Sequence, residues 1–219
     1  MNVQVDQSIF LTEQVRILTP STYVLRFSRN EIAFKPGQHL VVGLPGSDKL
    51  REYSIYSGTE DPFLEVLIKE VDDGVVSKAL KNIGRGDRLE VKGPYGFFMD
   101  DAPSAKHPLL FIASGTGIAP FRSYVRSFPQ SGFRIIHGIR HMEEAYDMND
   151  FPRERLHLCT SRDPEGDFEG RLTDYLKEVN LDREERVYLC GNSQMIYDAM
   201  EILNERGIPQ RQMFTEVYF

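Results

Sequence analysis

Cysteine is scarce in this chain: among 219 residues only Cys159 and Cys190 occur, each inside an apolar run, RLHLCTS and RVYLCGN. Two thiols cannot build a disulfide framework, nor supply a four-cysteine iron–sulfur cluster or zinc site. Histidine does not make up the shortfall, since the five residues present are scattered and complete no metal set. Redox chemistry, if the chain performs any, must ride on an organic cofactor or on a partner. Also missing is any stretch approaching the ~18 consecutive apolar residues that cross a bilayer, so no membrane span is expected. The start, MNVQVDQSIFLTEQVRI, has neither the basic opening nor the apolar run of a secretory signal, and Asp6 and Glu13 argue against a transit peptide; a cytoplasmic address is the default expectation. Nor is there a basic excess. The 26 basic and 33 acidic side chains leave a net charge of −7, which favours solubility and disfavours generic binding to nucleic acid or anionic membrane. An anionic ligand must find a local basic pocket.

What is present reads as two halves with different periods. The first hundred residues are short strands with turn punctuation: VRILTP and STYVLRFS around Pro20, then HLVVGLP, REYSIYS, FLEVLIKEV and DRLEVKGP, with one helix, VSKALKNIG, closed by Gly84. That pattern predicts an antiparallel β-barrel over residues 1–103. From His107 the apolar runs PLLFIAS, RIIHGIR, RLHLCTS and RVYLCGN alternate with or precede the helical stretches FRSYVRSF, RLTDYLKEV and SQMIYDAMEILNERG. This predicts a doubly wound parallel sheet of α/β type over residues 104–219. The polar segment DDAPSAKHP, with two prolines, reads as the linker.

Three short patterns point to phosphate. Gly115-Thr116-Gly117-Ile118-Ala119-Pro120 stands between an apolar strand and a helix, where glycines let the backbone approach a pyrophosphate and the helix N-terminus offers free N–H groups. Pro120 suits the first helical turn. Its place at the end of the motif, where an ordinary dinucleotide fingerprint has Gly or Ala, disfavours a plain dehydrogenase fold. In Arg51-Glu52-Tyr53-Ser54, strand alternation puts Arg51 and Tyr53 on one face, as a phosphate-binding guanidinium and a ring for a flat cofactor or simply as a surface pair. Gly74-Val75-Val76-Ser77 opens the short helix, and Ser77 can cap it or receive a phosphate.

Taken in order, Arg51-Glu52-Tyr53-Ser54, Gly74-Val75-Val76-Ser77, GPYGFFM at 93–99, GTGIAP at 115–120, Cys190-Gly191-Asn192 and the terminal Glu216-Val217-Tyr218 resemble the ferredoxin–NADP reductase family over nearly the whole chain. The likeness is greatest to its compact bacterial ferredoxin or flavodoxin reductases. The resemblance implies FAD on the barrel and NADP(H) on the sheet. Arg51 would pair with the FAD pyrophosphate, Tyr53 would stack on the isoalloxazine, Ser54 would bond its N5 edge, and Ser77 with Gly74, Val75 and Val76 would complete the phosphate site. Gly115, Thr116 and Gly117 would hold the NADP pyrophosphate, Cys190 would lie beside the nicotinamide, and Glu216 would support proton or hydride positioning. Read without the family, Cys190 is a buried core thiol. The terminal ring would cover the isoalloxazine face that nicotinamide must use; because Phe219 follows Tyr218, either ring could do so, and Tyr218 is preferred.

Cofactor choice turns on charge, because NADPH carries a 2′-phosphate that NADH lacks. Arg140, Ser161, Arg162 and Arg171 lie just beyond strand ends or at a helix start, where such sheets bind ligand. The alternative is that Arg162 and Arg171 neutralise Asp163, Glu165, Asp167 and Glu169. The expected activity is electron transfer between NADP(H) and ferredoxin or flavodoxin, with no resident metal. A reductase component of an oxygenase system, or an NAD(P)H-dependent flavin or ferric reductase, is the alternative within the same superfamily. A non-catalytic nucleotide-sensing protein is disfavoured by two complete phosphate motifs.

Overall fold

The computed structural model describes residues 9–99 and 108–218. The expected domain boundary at 103/104, nearly all of the linker, and Phe219 lie outside the described residues.

The N-terminal strands are β1 (Ile9–Thr19), β2 (Thr22–Ser28), β3 (His39–Gly43), β4 (Arg51–Ser54), β5 (Phe63–Lys69) and β6 (Arg88–Tyr95), with helix α1 (Val75–Lys81) between β5 and β6. They form an antiparallel sheet in the order β4-β3-β6-β1-β2-β5. A bridge between Ile55 and Val66 brings the two edges together, so the sheet closes as a barrel. Alternation explains the interior: Tyr23, Leu25 and Phe27 of β2 and Leu64, Val66 and Ile68 of β5 point inward with Phe10, Leu40 and Leu89. The other faces of β2 and β5 are buried too. Val24 and Leu67 pack with residues of the second half, which is why FLEVLIK reads as a nearly continuous apolar run rather than an alternating one.

The second half comprises β7 (Leu109–Ser114), α2 (Ala119–Ser127), β8 (Phe133–Ile139), β9 (Leu156–Thr160), β10 (Phe168–Glu169), α3 (Leu172–Glu178), β11 (Arg186–Asn192), α4 (Ser193–Glu205) and β12 (Met213–Tyr218). All pairs are parallel, in the order β10-β9-β8-β7-β11-β12. One face carries Leu110, Ile112, Val187 and Leu189 against α3 and α4. The opposite face carries Phe111, Ala113 and Tyr188 against α2 and the barrel wall. The strand order reverses direction at β7, whose neighbours are β8 and β11, and ligands bind such sheets in the crevice at that reversal.

The expected antiparallel barrel and doubly wound sheet are therefore both present. One local detail differs, and two features were not anticipated. Helix α1 ends at Lys81 with Asn82 as its cap, and Gly84 is not the terminating residue; its N–H donates instead to Asp87 Oδ2 at 2.7 Å. Between β8 and β9 no α-helix forms, only three one-turn 3-10 segments at Met142–Glu144, Met148–Asp150 and Arg153–Arg155. Strand β10 is two residues long and carried no periodic signal.

Candidate active site

The strand ends at the sheet reversal build the first part of the site. Chain leaving β7 makes a 3-10 turn over Gly115–Ile118 and continues into α2, with Pro120 in the first helical turn. Gly115 sits at φ +53° with nothing within 4 Å of where a Cβ would stand, so its conformation favours glycine and the space before it is open. Gly117 is required for a different reason: a Cβ there would lie 2.2 Å from the Cys190 carbonyl oxygen, so the turn after β7 rests directly on β11. His137 on β8 holds the turn from below, its Nε2 2.9 Å from the Gly115 carbonyl oxygen. Burial lowers the His137 pKa to about 4, so the ring is neutral near pH 7 and donates from Nε2. At the end of β11, the Asn192 side chain accepts from the N–H groups of Gln194 and Met195 and caps α4.

The second part joins the two halves. Register pairs Cys190 with Glu216 and Asn192 with Tyr218 along β11 and β12. Ser54, at the end of β4 and 3% exposed, reaches across from the barrel. Its hydroxyl donates to Glu216 Oε1 and accepts from the Tyr218 hydroxyl at 2.6 Å. The Cys190 thiol lies in the same packed cluster as the Tyr218 ring, at the paired ends of β11 and β12. The four residues to which the family resemblance gives catalytic roles thus meet in one polar node, spanning both halves of the chain. One acceptor position remains on the Ser54 oxygen. Burial pushes the Cys190 thiol and the Tyr218 phenol well above their usual ranges, so both stay protonated near pH 7. Burial also raises the Glu216 carboxyl; the Ser54 hydrogen bond opposes this and the charge of Glu52 adds to it. Glu216 is accordingly the member of the node that exchanges a proton most readily.

The remaining sequence candidates are distributed around this node. Arg51 is exposed, bonds only the Leu50 carbonyl oxygen at 2.8 Å, and has no carboxylate partner among the described residues. Tyr53 is half-buried against the barrel core, and burial raises its phenol to about 12. Ser77 lies in the first turn of α1 and is buried. Its hydroxyl is turned into its own loop, donating to the Gly74 carbonyl oxygen at 3.3 Å and accepting from the Val71 N–H at 3.4 Å. Gly74 is there because a Cβ would meet Val71 and Ser77 at 2.4 and 2.5 Å. Val75 is exposed and Val76 buried, and Thr116 is half-buried beside Gly115.

Of the candidates for the 2′-phosphate, Arg140 is already occupied by Glu144, 2.5 Å from its Nη2. Ser161 is exposed, its hydroxyl 3.4 Å from the Ile139 carbonyl oxygen. Arg162 and Arg171 are exposed and form no ion pair among the described residues. Two of the four acids that could have neutralised them have other partners: Asp163 accepts from the Met142 N–H at 2.9 Å and Asp167 pairs with Arg153. Two cations beyond the strand ends of an acidic protein, an open positive-φ glycine turn, and an arginine without a carboxylate partner among the described residues on the same strand as a buried serine fit a nicotinamide dinucleotide and FAD.

Sequence motifs did not reveal His137, nor a group of buried charges between the halves centred on Arg122 and Glu65. The one available signal for the latter was a charge at an apolar position, Glu65 within FLEVLIK.

A family model described as the oxidoreductase FAD-binding domain matches residues 3–99, and one described as the oxidoreductase NAD-binding domain matches residues 111–201. Over 93% of its length the chain is 30% identical to the toluate 1,2-dioxygenase electron transfer component of Pseudomonas putida, of which it covers 65%. Over 93% of its length it is 29% identical to ferredoxin–NADP reductase B of Sorangium cellulosum, of which it covers 94%. Among solved structures, a ferredoxin NADP+ reductase from Neisseria gonorrhoeae with bound FAD and NADP aligns with a TM-score of 0.84 at 25% identity, covering 96% of this chain and 98% of that one. A flavin-binding barrel followed by a nicotinamide-binding sheet, with a polar node where they meet, defines a flavin oxidoreductase. The chain belongs to the ferredoxin–NADP reductase family, with FAD and a nicotinamide dinucleotide as its cofactors. It spans almost the whole Sorangium reductase and about two thirds of the toluate component.

No helix among the described residues is long and apolar enough to cross a membrane.

Proposed function

We propose that this chain carries electrons between NADP(H) and ferredoxin or flavodoxin. The observation that carries the reading is the Ser54–Glu216–Tyr218–Cys190 node, which ties the strand end of the flavin barrel to the strand ends of the nicotinamide sheet. Bound FAD supplies a ring that takes up a hydride and gives up electrons singly. The chain's own residues bind, orient and handle the proton. Arg51 anchors the FAD pyrophosphate by a charge-assisted contact, and Tyr53 supports the ring. Gly115 and Thr116 present the turn to the nicotinamide pyrophosphate, held in shape by His137. Ser54 offers its remaining acceptor position toward the reacting edge while Glu216 takes or returns the proton on its hydroxyl. Tyr218 closes the nicotinamide position until the substrate displaces it.

The preference for NADPH is assigned to Arg162 and Arg171. Replacing both with alanine is expected to raise KM for NADPH by tenfold or more while leaving KM for NADH within about twofold, because only the former carries the phosphate they meet. Steady-state kinetics with both cofactors checks this; equal effects on the two would assign the arginines to structure.

A second reading, a reductase component of an oxygenase system, is favoured by the similarity to the toluate dioxygenase component. Reduction of ferredoxin and flavodoxin, assayed against reduction of an oxygenase's own electron-accepting component, separates the two readings.

A further inference from the structure

The halves meet through a cluster of charges that none of the cofactor roles uses. Its centre is Arg122 on α2, 5% exposed and seven residues beyond Gly115. Its Nη1 donates to the Tyr56 carbonyl oxygen and to Glu65 Oε2, both at 2.9 Å, and its Nε donates to Asp150 Oδ2 at 2.6 Å. The guanidinium carbon lies 4.0 Å from the centre of the Tyr56 ring. Glu65, 1% exposed, accepts from Arg26 with its other oxygen. Asp147, in a left-handed conformation at φ 49°, accepts two bonds from Arg16 at 2.9 and 2.7 Å and a third from the Tyr56 hydroxyl at 3.0 Å. The next residue on α2, Ser123, donates to the Ser57 carbonyl oxygen at 2.7 Å.

These contacts define a short mechanical path. Tyr56 and Ser57 are two and three residues beyond Ser54, and α2 begins where the glycine turn ends. A buried guanidinium therefore connects the backbone that presents Ser54 with the helix that presents the nucleotide turn. Cohesion alone does not account for it, because a buried ion cluster is replaceable by apolar side chains at little or no loss of stability. What a guanidinium adds is direction: a planar fork whose donors fix the angles and distances of all its partners.

We propose that Arg122 is a positioning residue for the transfer of hydride, in which the nicotinamide is oxidised and the flavin reduced. Its fork sets the separation between the strand end carrying Ser54 and the glycine turn. The inference rests on the proposed reading of the site as a nicotinamide-to-flavin transfer centre.

Arg122→Lys keeps the charge and most of the stem but loses the fork. In anaerobic stopped-flow reduction of the FAD-loaded protein by NADPH, the variant is expected to reduce its flavin at least about tenfold more slowly, since a misplacement near 1 Å costs up to ~10²-fold. KM for NADPH should stay within about twofold, and the isotope effect with NADPH deuterated at the transferred position should rise. A purely cohesive role would lower the melting temperature and leave the reduction rate and isotope effect at wild-type values, and that result overturns the inference. Tyr56→Phe, which removes only the bond to Asp147, gives a second test if the lysine variant does not fold; it should shift rate and isotope effect in the same direction by a smaller factor, and wild-type values would overturn the inference equally. A wild-type flavin that neither NADPH nor NADH reduces would overturn the reading of the site itself, and this inference with it.

Discussion

Ser54→Ala is expected to slow flavin reduction by one to two orders of magnitude while FAD stays bound. Ser54 is the only contact in the node contributed by the barrel, and its hydroxyl is bonded on both sides, to Glu216 and to Tyr218. A hydrogen bond to a charged group is worth about 1.5–3 kcal/mol, which at ~1.36 kcal/mol per decade corresponds to roughly 10- to 100-fold in rate if it is made only in the transition state. FAD retention, proposed above to be anchored at Arg51, should change little. Stopped-flow reduction and an FAD titration check the two parts separately; a variant that transfers electrons at the wild-type rate would remove Ser54 from the chemistry.

Glu216→Gln tests the same node through pH. Burial raises the Glu216 carboxyl above its usual range, so the folded protein holds this proton more tightly than the unfolded chain does. The stability this group contributes is fully present below its unfolded pKa, roughly 4.3, and is lost as pH rises through the higher folded value. The permanently neutral glutamine should therefore melt near the wild-type temperature in acid and gain on wild type as pH rises past that window. The limb of the pH–rate profile that follows Glu216 should disappear. Parallel pH dependence of melting and rate in the two proteins would show that Glu216 does not titrate as described.

The second large effect is expected from removing Tyr218 and Phe219. Tyr218 is fastened by its hydroxyl to Ser54, so under the proposed gating nicotinamide must break that bond as well as the stacking contact to take its place. Stacking is worth ~0.5–1.5 kcal/mol and a neutral hydrogen bond a similar amount. Their loss should lower KM for the nicotinamide cofactor by about tenfold, narrow the preference for NADPH over NADH, slow product release and shift the flavin absorption bands. Tyr218→Phe separates the two contributions, since it keeps the ring and loses only the tether; its KM should fall by a smaller factor. Unchanged KM, preference and spectrum after truncation would reduce the terminal rings to packing.

Much of this architecture is written in local patterns. Alternation in VLRF and LEVLI, and the change of period after His107, carry the barrel and the sheet, because each depends on which neighbouring side chains share a face. The glycine turn after β7 was legible because such turns have short-range signatures, whereas the roles expected of Ser54, Cys190, Glu216 and Tyr218 came only from the family resemblance. Gly84 misled, because the helix closed two residues early on Asn82 and the glycine was used in the following turn. The loop from 140 to 155 carried no periodicity, since its 3-10 turns are held by contacts with distant residues, such as Asp147 with Arg16 and Tyr56. For the same reason no motif singled out Arg122 and Glu65: their burial depends on packing one half of the chain against the other. Arg140 looked as available as Arg162, because nothing in the spacing announced that Glu144 would fold back onto it.

The central claim is that this chain passes electrons from NADPH through FAD to a small carrier, and anaerobic titration of the FAD-loaded protein tests it most directly. One equivalent of NADPH should bleach the flavin absorption, NADH should do so only at much higher concentration, and oxidised ferredoxin or flavodoxin should restore the colour. A protein that holds FAD yet shows the same spectrum after either nicotinamide cofactor would contradict the account.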